Sequence, residues 1–133
     1  MTPRDWRHLW LNEGFAMYLQ IKWGATHGAE TMESWIELLR SYVQRMRNQY
    51  GPPGDCHRRD FASGNVYYCP ALMLIELRRP SAQRSSTGCC AWARQHQSSN
   101  ESRGSDVGWL NQQTGRHLGP FVREWLMSPT TPD

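Results

Sequence analysis

Residues 10–16, Trp-Leu-Asn-Glu-Gly-Phe-Ala, place one carboxylate, Glu13, inside an otherwise apolar or small segment. The surrounding apolar residues recur at helical spacing, so this segment is predicted to be a helix that packs against the rest of the chain. A buried carboxylate is costly unless a positive charge meets it. The fold must therefore supply either a basic side chain, such as Arg4 or Arg7, or a metal ion beside Glu13.

Helical periodicity extends along much of the chain and predicts an all-α fold. Helices are expected from Leu9 to about Trp23, from about Glu30 to Tyr50, from the 65–70 region to Arg79, after Asp106 and around Pro120. The second helix has the clearest apolar stripe, formed by Met32, Trp35, Ile36, Leu39, Tyr42, Val43 and Met46. No segment shows the alternation that is typical of a strand.

Glycine and proline mark the expected helix boundaries. Residues 24–28 are predicted to form a turn, and residues 51–55, Gly-Pro-Pro-Gly-Asp, to end the second helix. Residues 56–64 are interpreted as a polar loop. Pro70 is compatible only with the first turn of the third helix, because proline lacks the N–H that later helical positions need. Pro80 is expected to end that helix.

Composition and charge exclude several classes of function. A length of 133 residues indicates one domain or part of one. The net charge is only +3, and no groove pattern of basic and aromatic residues supports nucleic-acid binding. No apolar run approaches the roughly 20 residues of a membrane span. Residues 1–7 lack the apolar core of a signal peptide, so no membrane partner is expected, and a cytoplasmic location is the default.

The four cysteines are interpreted as free thiols, because none forms a C-x-x-C pair. They are Cys56, Cys69, Cys89 and Cys90. A metal site made by Cys56, His57 and Cys69 is the alternative, although the spacing matches no common zinc module.

Residues 81–105 differ in kind from the segments on either side. Ser, Gln, Arg and Gly dominate them, and only residues 91–93 are apolar. Such a composition is typical of a linker or a disordered loop. A reading-frame disturbance in the coding sequence is a second interpretation, which resequencing the gene would test.

The segment around Glu13 resembles a motif of the aminopeptidase N family of zinc metallopeptidases. In that family, this glutamate is the third protein ligand of one catalytic zinc ion, after the two histidines of an H-E-x-x-H helix. Two imidazoles and one carboxylate leave a coordination position open for water, and zinc lowers the pKa of that water. The resemblance therefore implies that Glu13 is a zinc ligand and that the substrate is a peptide.

A second segment, residues 65–72, resembles the family sequence Val-Tyr-x-Lys/Arg-Gly-Ala. The tyrosine of that sequence donates a hydrogen bond to the oxyanion formed during peptide hydrolysis. Alignment on Ala71 gives this role to Tyr67 and leaves Tyr68 at the variable position. Cys69 and Pro70 replace the basic residue and the glycine, which puts the placement of Tyr67 in question.

A third segment, residues 114–121 with Trp125 and Leu126, resembles the end of the same catalytic domain and is expected to be structural. The resemblance implies the helical C-terminal subdomain of a thermolysin-like zinc peptidase. It divides the chain into a partial catalytic domain (1–79), a divergent or disordered segment (80–105), the terminal helices of the same domain (106–127) and a tail (128–133).

The chain contains no H-E-x-x-H, and the spacing of the family would place that motif before Met1. The isolated chain is therefore expected to be an inactive fragment of a metallo-aminopeptidase that removes N-terminal residues from peptides. Two alternatives are a complementing half that joins a separate N-terminal part of the catalytic domain, and a non-catalytic helical interaction module.

Overall fold

A computed structural model of the chain describes residues 2–3, 8–28, 30–78, 100–101, 108, 111–112 and 117–133. Most of these residues are helical, which confirms the all-α prediction. The helices are α1 (Leu9–His27), α2 (Met32–Tyr50), α3 (Gly64–Glu76) and α4 (Gly119–Met127). Strand structure in the described residues is limited to a two-residue parallel pair, β1 (Thr2–Pro3) with β2 (Asn100–Glu101).

The β1–β2 pair was not predicted, and β2 lies within the segment interpreted as a linker. Two residues are too few to carry a side-chain alternation, so the sequence gives no signal for such a pair. The other residues of that segment, 81–99 and 102–105, and the expected N-cap Asp106 lie outside the described residues.

Helix α1 continues one turn beyond its predicted end. The predicted turn at residues 24–28 is wrong, because the helix passes through Gly24 to His27, and the Gly28 N–H donates to the Gly24 carbonyl. A glycine inside a helix costs about 1 kcal/mol relative to alanine. The Trp23 ring stacks on His27 with centroids 4.8 Å apart, a contact within the last turn that helps to offset this cost.

Helix α2 matches its predicted stripe and begins two residues later than expected. Thr31 caps it, since its side-chain oxygen accepts a hydrogen bond from the Ser34 N–H at 3.2 Å. The helix ends at Tyr50, and the residue that follows, Gly51, has a φ of 78°, which suits glycine better than other residues. The stripe faces the interior, where Leu39, Val43 and Met46 are buried.

Helix α3 contains Pro70 in its interior, six residues after it begins at Gly64, so the prediction that Pro70 lies in the first turn is wrong. The Val66 carbonyl consequently lacks its usual N–H donor four residues later. Packing against α1 compensates: a Cβ added to Gly14 would lie 2.6 Å from both Cβ and Cγ of Pro70. The two helices therefore cross in close contact at Gly14 and Pro70.

One main core joins all four helices, and α1 and α3 form its most extensive pair. Helix α4 contributes the apolar face that its sequence predicted, with Val122, Trp125 and Leu126 buried. Pro120 lies at the start of this helix, as expected. No helix in the described part of the chain is both long enough and apolar enough to span a membrane.

Arg47 links α2 to the end of α4 and is buried, with 2% of its surface exposed. Its Nη2 donates to the Trp125 carbonyl and its Nη1 to the Ser128 carbonyl, each at 2.7 Å. These carbonyls lie at the C-terminal end of a helix, where carbonyl groups have no partner within the helix. Arg47 on α2 therefore supplies hydrogen-bond donors to the C-terminal end of α4.

Candidate functional site

Glu13 lies on α1, one turn after the helix begins, and is half-buried. The sequence analysis treated this carboxylate as buried, and the structure leaves part of the side chain open to solvent. The Asn12 amide nitrogen donates a hydrogen bond to Glu13 Oε1 at 3.2 Å. Arg4 and Arg7, the basic side chains considered as partners for Glu13, lie outside the described residues.

Tyr67 lies in the first turn of α3 and reaches Glu13 on α1. The Tyr67 phenol lies close enough to the Glu13 carboxylate for the two groups to interact electrostatically. The pKa of Tyr67 is raised, first by burial and then by the neighbouring Glu13 carboxylate. The structure thus brings together the two residues that the sequence singled out from separate motifs 54 positions apart.

The Tyr67 ring is held by a small apolar cluster separate from the main core. It packs against Leu9, Cys56 and Val66, all three of which are buried. Each of these residues comes from a different part of the chain: the start of α1, the loop after α2, and α3. This support directs the phenol toward α1 despite the proline three residues later.

The neighbouring tyrosine, Tyr68, makes a different contact. Its ring meets that of Tyr42 edge to face, with centroids 5.1 Å apart and planes at 89°. Because Tyr68 is engaged with α2, Tyr67 is the tyrosine in this helical turn that contacts Glu13.

Asn65 anchors the start of α3, a role that the sequence analysis missed. It is fully buried, and its amide nitrogen donates to the carbonyls of Gly51 at 2.9 Å and Tyr50 at 3.3 Å. Its Oδ1 accepts from the Ser63 hydroxyl at 2.5 Å. No capping signal would have identified this anchor, because Asn65 lies inside α3, two residues after the N-cap Ser63, and its carbonyl partners end a different helix.

The described residues do not by themselves fit a zinc ion. A catalytic zinc needs three protein ligands, and no group of three or more His, Cys, Asp or Glu side chains in the described ranges could hold a metal. Glu13 provides one carboxylate, and its neighbours are the Asn12 amide and the Tyr67 phenol, which are poor zinc ligands. Chemically, the pair offers one anionic acceptor beside one neutral donor.

The alternative metal site at Cys56, His57 and Cys69 has no support in the geometry. Both thiols are free and buried, and the Cys56 thiol donates to the carbonyls of His57 and Asp60. Burial raises the pKa of both thiols, that of Cys69 to about 11. Cys89 and Cys90 lie outside the described residues.

The third motif is placed as a packing element. Phe121 and Trp125 lie on α4 with their ring centroids 6.1 Å apart, and Trp125 is 1% exposed within the main core. Residues 114–116 of the motif lie outside the described residues.

Comparison with known proteins identified no relative of this chain. No family model, curated protein or solved structure matches the chain. The sequence motifs and the proximity of Glu13 to Tyr67 are therefore the features of the chain that indicate a function.

Proposed function

We propose that this chain is the C-terminal portion of the catalytic domain of a zinc-dependent aminopeptidase similar to aminopeptidase N. Glu13 is its zinc ligand, and Tyr67 is its hydrogen-bond donor to the oxyanion of the scissile peptide. Two further zinc ligands must come from another segment, so the isolated chain has no peptidase activity.

The observation that carries this proposal is the proximity of the Tyr67 phenol to the Glu13 carboxylate. The two residues belong to separate motifs that resemble two functional segments of one enzyme family. A helix pair packed for stability alone has no need to direct a phenol at a carboxylate, since apolar pairs pack equally well. Contact between these two groups is what a shared site requires.

The chemistry of Tyr67 supports its role as a donor. Burial and the neighbouring Glu13 carboxylate both raise its pKa, so the hydroxyl keeps its proton at neutral pH. A neutral phenol held at a fixed position can donate to an oxyanion that forms nearby, and removing one such donor typically costs 10² to 10³ in kcat.

A complementing half of a split peptidase is the form of this proposal that the surface favours. Leu19 and Trp23 lie four residues apart on α1 and are 43% and 67% exposed. Residues at this spacing share one helix face, and exposed apolar side chains on one face favour a partner. A self-contained interaction module would expose fewer such side chains.

The test is reconstitution. The purified chain is assayed with zinc and leucine p-nitroanilide, alone and after co-expression with an H-E-x-x-H-containing half-domain of a family aminopeptidase. We expect no turnover alone and metal-dependent turnover in the complex, whose formation is checked by size-exclusion chromatography. Glu13→Gln should abolish that turnover, and Tyr67→Phe should lower kcat by about 10² to 10³.

Tyr68→Phe is the matched control, because it removes the adjacent hydroxyl and leaves the Tyr67–Glu13 contact intact. We expect it to leave kcat within about threefold, since it removes no transition-state hydrogen bond. Turnover by the isolated chain, a complex that forms without activity, or full activity of the Glu13→Gln variant would contradict the proposed function.

A further inference from the structure

A cleft with a volume of about 800 Å³ opens between α1, α2 and the end of α3. Neither Glu13 nor Tyr67 lines it; Tyr18, the lining residue of α1 nearest to Glu13, lies five residues further along the helix, or about 7.5 Å at 1.5 Å per residue. Cavities of this volume are within the range that holds small ligands. The cleft is therefore separate from the site described above.

One wall of the cleft is apolar. Met32, Ile36 and Ile75 line it, and all three belong to the main core or pack against it. This wall is suited to an apolar side chain of a ligand, because covering it removes apolar surface from water.

The α3 side of the cleft carries a cation that has no carboxylate partner among the described residues. Arg78 is half-buried, and its Nη1 donates to the Tyr18 hydroxyl at 2.7 Å. Its Nε is buried and has no hydrogen-bond partner in the described part of the chain. The other arginine of the cleft, Arg40, is already paired with Glu76 at 2.7 Å. Arg78 is thus the guanidinium left to meet an anion.

The α2 side carries two carboxylates. Glu33 and Glu37 are exposed and lie four residues apart, on one face of the helix. Neither forms an ion pair with another residue in the described ranges. Within the described ranges, the cleft therefore has negative charge without an ion-pair partner on one wall, a guanidinium without a carboxylate partner on another, and an apolar surface as well.

We propose that this cleft binds a short apolar peptide with both ends free. The peptide carboxylate pairs with Arg78, the ammonium group lies against Glu33 and Glu37, and the apolar side chains pack on the wall formed by Met32, Ile36 and Ile75. A zwitterion is favoured over a simple anion because the carboxylates of α2 would repel an anion without a cationic end. This inference stands independently of the proposed peptidase function.

The test measures binding of leucyl-leucine to the full chain by isothermal titration calorimetry, with NMR shifts of the Ile36 and Ile75 methyl groups locating the ligand. We expect saturable binding with shifts at both methyl groups. N-acetyl-leucyl-leucine and leucyl-leucinamide, which each lack one charged end, should bind at least about tenfold more weakly, the equivalent of 1.4 kcal/mol.

Variants assign each end of the peptide. Arg78→Gln should remove the preference for leucyl-leucine over its amide, and Arg78→Lys, which keeps the charge, should retain it. The double variant Glu33→Gln, Glu37→Gln should remove the preference over the acetylated peptide. Because both glutamates are exposed, this arm tests the site even where an Arg78 variant fails to fold.

Matched controls change the same residue types elsewhere on the surface. Arg59, whose side chain is 83% exposed, and Glu124 on α4 lie outside the cleft, and their glutamine variants should bind leucyl-leucine like the unmodified chain. Failure of leucyl-leucine to saturate, equal affinity for the blocked peptides, or equal effects of control and cleft variants would overturn the proposal.

Discussion

Gly14 and Pro70 are each unfavourable inside a helix, and in the fold they pack directly against each other. A glycine in a helix costs about 1 kcal/mol relative to alanine, and an interior proline removes a helical hydrogen bond. Here the absent side chain of Gly14 makes room for the Pro70 ring. The pair sets how closely α1 approaches α3, and α1 and α3 carry Glu13 and Tyr67.

Gly14→Ala should destabilise the chain by about 1–3 kcal/mol, the usual cost of overpacking a core. The added methyl would lie 2.6 Å from two carbons of Pro70, and this clash outweighs the better helix propensity of alanine. Urea denaturation followed by circular dichroism measures the free energy of unfolding. In a Pro70→Gly background the same change should cost much less, because both clashing carbons are gone.

Gly24→Ala is the matched control on the same helix. The nearest atom to its added Cβ is the Trp35 Nε1 at 4.0 Å, an ordinary contact, so a gain of about 0.5–1 kcal/mol is expected. Equal changes in the free energy of unfolding for the two glycine substitutions would show that helix propensity, and not the contact with Pro70, determines their effect.

At the level of elements, two buried polar side chains hold helix ends in place. Asn65 binds the carbonyls at the end of α2, and Arg47 binds those at the end of α4. Burial lowers the pKa of Arg47, although arginine stays protonated across the ordinary pH range. Each anchor satisfies carbonyl groups that an isolated helix would leave to water.

Arg47→Met should destabilise the chain by about 3 kcal/mol, because it leaves the buried Trp125 carbonyl and the partly buried Ser128 carbonyl without this donor while keeping most of the side-chain volume. The free energy of unfolding in urea is again the measurement. Arg45→Met is the control: Arg45 is exposed on the same helix and lies 4.7 Å from the Tyr42 ring centroid. Its loss should cost less than about 1 kcal/mol, and a comparable loss in both variants would argue against the anchoring role.

For the whole molecule, the main core buries an ionisable thiol, which couples global stability to pH. Cys69 is completely buried, and burial raises its pKa from 9.0 to about 11 despite the nearby charge of Arg47. The unfolded chain therefore loses this proton at lower pH than the folded chain does. Stability is fully present below pH 9 and is lost as the pH rises through the folded pKa.

We expect the free energy of unfolding to fall by about 2–3 kcal/mol between pH 9 and pH 11 on account of this thiol. Urea titrations at intervals across that range measure the slope. In the Cys69→Ala variant, the free energy of unfolding should fall less steeply between pH 9 and pH 11, whatever the effect of the substitution on stability at pH 8. Some slope remains, because Cys56 and Tyr67 also have raised pKa values. Parallel pH profiles for the two proteins would contradict a titrating Cys69.

The candidate site was predictable in part. Glu13 and Tyr67 were each identified from a short segment that resembles a family motif, because such a motif can be recognised from neighbouring residues in the sequence alone. Asn12 and Asn65 were not singled out, and the burial of Glu13 was overstated. Exposure depends on which other segments cover a side chain, and neighbours in the sequence do not contain that information.

The sequence by itself determined the helical class, the stripe of α2 and the apolar face of α4, because these follow from a local repeat that matches helix geometry. Only the tertiary structure decided that α1 continues through Gly24, that Pro70 lies inside α3, and that Tyr67 meets Glu13. The physical reason is the same in each case. A local cost such as an interior proline, or a contact between distant motifs, is settled by packing between residues far apart in the chain, and packing can outweigh local preference.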